Sequence, residues 1–195
     1  HADPHNWDNS WKTALINFVN GGGSLWAGCH AVSSLDGMVV GANFLSEDGL
    51  LDWDHHADGN LDYTYNSSYD ADPIMQFIGT FDGATDKGSE RIYMPDQGHN
   101  WRGSTKVAVY QPNHPDADPN EASVLSYGRA FGQANSGMVM YQAAHELDKE
   151  GTDAEQVAAI RAFFNFLLLA GTNEAISVSS NVPAFVVSGS SIDVS

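Results

Sequence analysis

Three consecutive glycines, Gly21, Gly22 and Gly23, separate two patterns that must meet at a sharp angle. Before them, residues 10–20 repeat apolar side chains at helical spacing. Trp11, Leu15, Phe18 and Val19 are expected on one face, with Asn9 or Ser10 as cap. The glycines end that helix. After them, residues 24–28 read as a short buried strand that breaks into Cys29-His30, and a second helical turn is expected from about Ala31. A nucleophile-capable side chain is thereby set on a strand-to-helix elbow, where it stands exposed at a sheet edge with backbone N–H groups beside it.

Further along, residues 46–72 read as a long acidic loop and 112–121 as a second Pro/Asp/Asn-rich loop. Residues 74–79 and 92–94 are short strand candidates, and 106–110 (KVAVY) a clearer one. Residues 124–130 and 138–143 are expected to pair across a turn containing Gly132, Asn135, Ser136 and Gly137. A helix follows, opened by the capping-box pattern Thr152 to Glu155. Its expected apolar face is Val157, Ile160, Phe163, Phe164, Leu167 and Leu168, with Gly171 as its stop. From Ile176 the texture becomes Ser/Val alternation. Residues 1–171 are therefore expected to form one α/β domain. Residues 172–195 are expected to be a β-rich linker or the first strand of a following sandwich module. The start at His1 predicts either a removed leader or a piece of a longer chain.

Charge narrows the partners. The 195 residues carry 8 Lys+Arg against 25 Asp+Glu, a formal charge of −17. So little cationic surface argues against nucleic acid and against an anionic membrane surface. No apolar run approaches the ~18 residues of a membrane span. With Cys29 as the single cysteine, an intrachain disulfide and a cysteine-rich zinc site are both excluded. Trp26 stands where a c-type haem motif needs its first cysteine, so neither haem nor a nucleotide is expected. The Asp-rich surface fits a calcium-rich exterior. Asp54, Asp58, Asn60 and Asp62 offer oxygen ligands at short spacing around Gly59, and Asp116, Asp118, Asn120 and Glu121 form a second such patch. His1, Asp3, Cys29, His30 and His145 are a candidate transition-metal cluster. Asn66-Ser67-Ser68 matches a glycosylation sequon, read as incidental.

His145 follows the strand at 138–143, with Glu146 beside it. A cysteine hydrolase needs a base and a carboxylate to orient that base. The order of a strand with a Cys elbow, then a strand followed by His and an acid, resembles the class I glutamine amidotransferase superfamily. More closely, LWAGCHAVSSLD, DPIMQFIGTFDGATDKGSERIYMP, YGRAFG, GMVMYQAAHELD and QVAAIRAFFNFLLLAG resemble an amidotransferase-like domain of large secreted or cell-surface bacterial proteins. There it is often followed by immunoglobulin- or PKD-like repeats. The resemblance implies a flavodoxin-like three-layer sandwich with a mainly parallel sheet, here lacking N-terminal strands, and an extracellular or cell-surface location. It implies Cys29 as nucleophile, His145 as base, Glu146 as orienting acid and the backbone near His30 as oxyanion donor. Two departures separate the chain from the glutaminases. Ala31 stands where their elbow has glycine, and Glu146 is adjacent to His145 rather than two positions on. Two functions are thus expected: a structural, assembly or adhesion module that self-associates or docks on neighbouring modules, stabilised by calcium, or a Cys-His hydrolase or amidase.

Overall fold

The computed structural model describes residues 9–28, 30–37, 41–51, 63–76, 92–143 and 154–173. Helix α1 (Asn9–Asn20) ends at the glycines, where Gly22 takes a positive φ of 102° that an L side chain rarely adopts. Strand β1 (Leu25–Gly28) follows, then the short helix α2 (His30–Asp36). Strand β2 (Thr64–Tyr65) is brief. Strands β3 (Lys106–Gln111), β4 (Ala122–Arg129) and β5 (Met138–Gln142) come in succession, and helix α3 (Ala154–Asn173) follows.

The strands form one five-stranded sheet in the order β1-β5-β4-β3-β2. Helices and a mixed sheet make this an α/β fold. The sheet is mostly antiparallel, where a mainly parallel one was expected: of its four described strand pairs, β1–β5 is the parallel one. The reason lies in connection length. The link from β4 to β5 is only the eight residues Ala130–Gly137, shorter than the crossover of about a dozen or more that a parallel pair needs. Phe131 (φ 59°) and Gly132 (φ 68°) supply its left-handed corner. The Phe131 N–H donates to the Phe44 carbonyl at 2.8 Å. Gly137, just before β5, donates to the Val19 carbonyl at 2.7 Å. A Cβ at Gly137 would run into the backbone carbonyl of Gly23, so the end of α1 and the start of β5 require glycine at that contact.

The sheet's two faces are covered differently. Alternation along β5 places Met140 and Gln142 on one face and Tyr141 on the other. On the first, Phe163 of α3 meets Trp26 of β1 edge-on, with ring centroids 5.1 Å apart. On the second lie the end of α2 and residues 44–46. The buried core runs through both, with Val32, Leu35, Phe44, Leu45 and Leu50 beside Val139 and Tyr141, and Phe166 against the α3 side.

Several expectations shift. Of the strand expected at residues 74–79, residues 77–79 lie outside the described residues, and Pro73–Met75 form a 3-10 turn instead, started by Asp72 and a proline at its first position. Asn165 of α3 holds that turn by donating to the carbonyls of Ile74 (3.1 Å) and Gln76 (2.5 Å). Residues 92–94 make a single antiparallel bridge, Tyr93 to Ser123. The stretch 46–72 is not all loop: it holds β2, a 3-10 turn at Ser67–Tyr69 capped by the Asn66 side chain, and a bridge from Ser46 to Trp101. On α1 the buried side is Leu15, Ile16 and Val19, while Trp11 and Phe18 are exposed. Helix α3 continues two residues past Gly171.

Candidate functional site at the carboxyl ends of β1 and β5

Parallel strands present their carboxyl ends at the same edge of a sheet, which is where open α/β sheets place their ligands. Here the register pairs Leu25 with Val139, Trp26 with Met140, Ala27 with Tyr141 and Gly28 with Gln142. Gly28 and Gln142 are thus the last residues of both strands and lie side by side. Cys29 is the next residue after Gly28, and His30 opens α2. His145 is three residues after Gln142 in the chain, with Glu146 next. Cys29, His145 and Glu146 lie outside the described residues, as does the side chain of His30.

What the structure describes in full is the framework holding this edge, and its centre is Gln142, a residue that sequence reasoning missed. Gln142 is fully buried. Its Oε1 accepts from the Trp26 indole N–H at 3.0 Å, and its Nε2 donates to the Ala159 carbonyl of α3 at 2.9 Å. Its backbone carbonyl accepts from the Tyr93 hydroxyl at 3.2 Å. One side chain therefore ties β1, β5 and α3 together at the strand ends. The signal was present: a lone amide closes the otherwise apolar run MVMY, and a buried amide demands partners.

On the opposite face sits Asp36, the last residue of α2 and fully buried. Its Oδ2 accepts from the backbone N–H groups of Leu45 and Ser46, both at 3.2 Å. Its Oδ1 has no hydrogen-bond partner. The Tyr141 hydroxyl lies against this carboxyl without completing a well-formed bond. Burial pushes the Asp36 pKa up to about 6, only partly opposed by the amides and by Tyr141. Burial and the neighbouring carboxylate together hold the Tyr141 phenol protonated well above its ordinary range. The cation nearest this group in effect, Arg102, is committed elsewhere: its Nε and Nη2 donate to the Asn43 carbonyl at 3.0 and 2.9 Å. A carboxylate at a helix C-terminus opposes the helix dipole, and that mismatch is the sequence signal for Asp36.

The expected calcium ligands Asp54, Asp58, Asn60 and Asp62 lie outside the described residues, as do His1, Asp3 and Cys29 of the candidate transition-metal cluster. The second acidic patch is described and is engaged with the neighbouring loop through one carboxylate and one backbone carbonyl, while Glu121 Oε2 is buried without a hydrogen-bond partner among the described residues. Asp118 Oδ2 accepts from the Gly98 N–H at 3.2 Å, and the Glu121 carbonyl accepts from the Trp101 indole at 2.9 Å. Burial, then the charge of Asp118, raise the pKa of Glu121. Among the described residues no three His, Cys, Asp or Glu side chains converge on a metal position.

One ion pair stands apart from this edge, on the α3 side of the sheet. Lys106 donates to Asp72 at 2.6 Å, and the Tyr127 hydroxyl donates to the same carboxylate oxygen at 2.8 Å. The Lys106 ammonium also lies over the rings of Tyr69 and Tyr127, at 5.6 and 5.9 Å from their centroids. This cluster fixes the Pro73–Met75 turn beneath α3. Among the described residues no helix is long and apolar enough to cross a membrane. Fold and edge together define a mixed-sheet α/β protein with a parallel strand pair. Comparison with protein-family models, with curated proteins and with solved structures finds no match.

Proposed function

We propose that this domain is an amidotransferase-like hydrolase, with Cys29 as nucleophile and His145 as general base. The observation that carries the reading is the register of β1 with β5. Two adjacent parallel strands end side by side at Gly28 and Gln142, and the chain continues from one into Cys29 and from the other toward His145. In this reading the thiolate attacks the carbonyl carbon of an amide or ester. Backbone N–H groups near His30 hold the resulting oxyanion. His145, oriented by Glu146, gives a proton to the departing amine or alcohol, and water then cleaves the thioester. Coverage of the sheet on both faces, by α3 and by α2, supports a layered α/β arrangement for the same domain.

The test is the pH dependence of Cys29 alkylation, which reads one thiol because the chain holds one cysteine. The expected result is a thiol pKa well below ~8.5 that returns toward that value in His145→Ala. An ordinary or inert thiol in the wild-type protein overturns the reading.

A second reading is favoured by a different observation. Phe164, Leu167 and Leu168 form an exposed apolar ridge on α3, with Leu168 71% exposed. Such a ridge supports an extracellular assembly or adhesion module that docks on itself or on neighbouring modules, with calcium bound by the 54–62 segment. Sedimentation of the wild-type protein and of Leu168→Asp, with calcium and with chelator, separates the two. Association lost in the variant favours assembly. A monomer under every condition removes it.

A further inference from the structure

We infer that Asp36 is a proton-operated latch that fastens residues 44–46 to the end of α2 and to β5. The geometry is that of a hub with one open valence. Oδ2 carries two amides from residues 45 and 46, while the Asp36 carbonyl accepts from the Leu50 N–H at 2.6 Å. The segment bearing those amides is held from its other side as well. Thr105 donates its hydroxyl to the Leu45 carbonyl at 2.7 Å, and the Arg102 N–H donates to the same carbonyl at 2.8 Å. Asp36 is thus the point at which α2, residues 42–50 and β5 are all joined.

Among the described residues, no cationic side chain is turned to the carboxyl. From β5 it meets Tyr141, a phenol held protonated. From the strip at 101–105 the charged group is Arg102, turned to Asn43. In residues 42–50 the titratable side chains, Glu47 and Asp48, are exposed and acidic. The other titratable residue of α2 is His30, at the opposite end of the helix. A buried carboxylate facing only neutral dipoles is costly in its ionised form.

Taking up a proton removes that cost and equips Oδ1 with a donor for the Tyr141 oxygen, while Oδ2 keeps both amides. The protonated form is therefore the fastened one. Ionisation near pH 6 loosens the latch. The loosened segment is the one that leads directly from the helix behind the elbow into the acidic stretch at 52–62.

Amide hydrogen exchange of residues 42–50, corrected for intrinsic rates and compared between pH 5 and pH 7.5, reads the latch directly. The expected result is a loss of protection of about tenfold at the higher pH in the wild type, from linkage of the raised carboxyl to opening. Asp36→Asn keeps an acceptor for the two amides and adds donors toward Tyr141, so its protection should be the same at both pH values. Equal protection in the wild type, or the same pH response in the variant, overturns the proposal. Should the variant fail to fold, the Asp36 carboxyl carbon is titrated by NMR in the wild-type protein. A midpoint near 4 overturns the latch, and one near 6 upholds it.

Discussion

Gln142 shows how much one side chain can fix. Replacing it with leucine strips the half-buried Trp26 indole N–H of its partner and takes the side-chain bond from the buried Ala159 carbonyl, which keeps its helical one. Each such loss costs roughly 1–3 kcal/mol. Gln142→Leu should therefore destabilise the domain by about 2–4 kcal/mol in urea unfolding, while Gln142→Glu should be worse than leucine at neutral pH because it buries a charge. Asp36 carries the opposite sign. Its pKa rises from 3.8 to about 6 on folding, so its stabilising contribution is fully present below about pH 3.8 and is lost as pH climbs through about 6. Two pH units correspond to about 3 kcal/mol. The stability difference between wild type and Asp36→Asn, measured across pH 4 to 7.5, should move toward the variant by up to that amount. A difference that stays flat with pH would refute the assignment.

Among the elements, the turn before β5 gives the sharpest prediction. Gly137→Ala forces a methyl group against the Gly23 backbone, which cannot move without dragging the end of α1. A loss of about 2–3 kcal/mol is expected by thermal or chemical unfolding, with the far-UV spectrum retained. Helix α3 shows what pattern reading could and could not do. Its existence was legible from periodicity; Thr152, expected to open its capping box, lies outside the described residues. Its buried side was not. The stripe facing the sheet is Ala158, Ala159, Ala162 and Phe166, while Phe164, Leu167 and Leu168 point outward. Alanines let the helix approach closely enough for its Ala159 carbonyl to receive Gln142, and a helix apolar nearly all round offers periodicity no way to choose its inner side. The same limit applies to α1, where Leu15 and Val19 lie inside as expected, but Trp11 and Phe18 are exposed and Ile16 joins the inner side in their place. The helix–glycine–strand–helix order of residues 9–36 and the pairing of β4 with β5 were legible, because glycines and turn residues act locally. The parallel pairing of β1 with β5 rests on contacts far apart in the chain, which local pattern does not carry. Cys29 and His145 are what the sequence proposes for this edge, and the acidic residues of 54–62 what it proposes for calcium; Gln142, Trp26, Tyr93 and Asp36 are what the structure adds.

At the scale of the whole molecule, a formal charge of −17 on 195 residues sets a background of self-repulsion. Screening should relieve it. Raising NaCl from about 0.02 M to about 0.3 M is expected to raise Tm by a few degrees, since the Debye length falls from about 20 Å to below about 8 Å. A Tm that is unchanged or lower would mean that specific ion pairs such as Lys106 with Asp72 outweigh the diffuse charge. The parallel pair has a consequence of another kind, for how the chain comes to be folded. Trp26 and Gln142 are separated by 116 residues. At about 5–20 residues per second, a ribosome delivers the second roughly 6–20 s after the first. Until then β1 has no strand to lie against. Strand β1 is thus synthesised well before the partner that secures it, so the Cys29 that follows it waits for a finished fold until translation has passed β5.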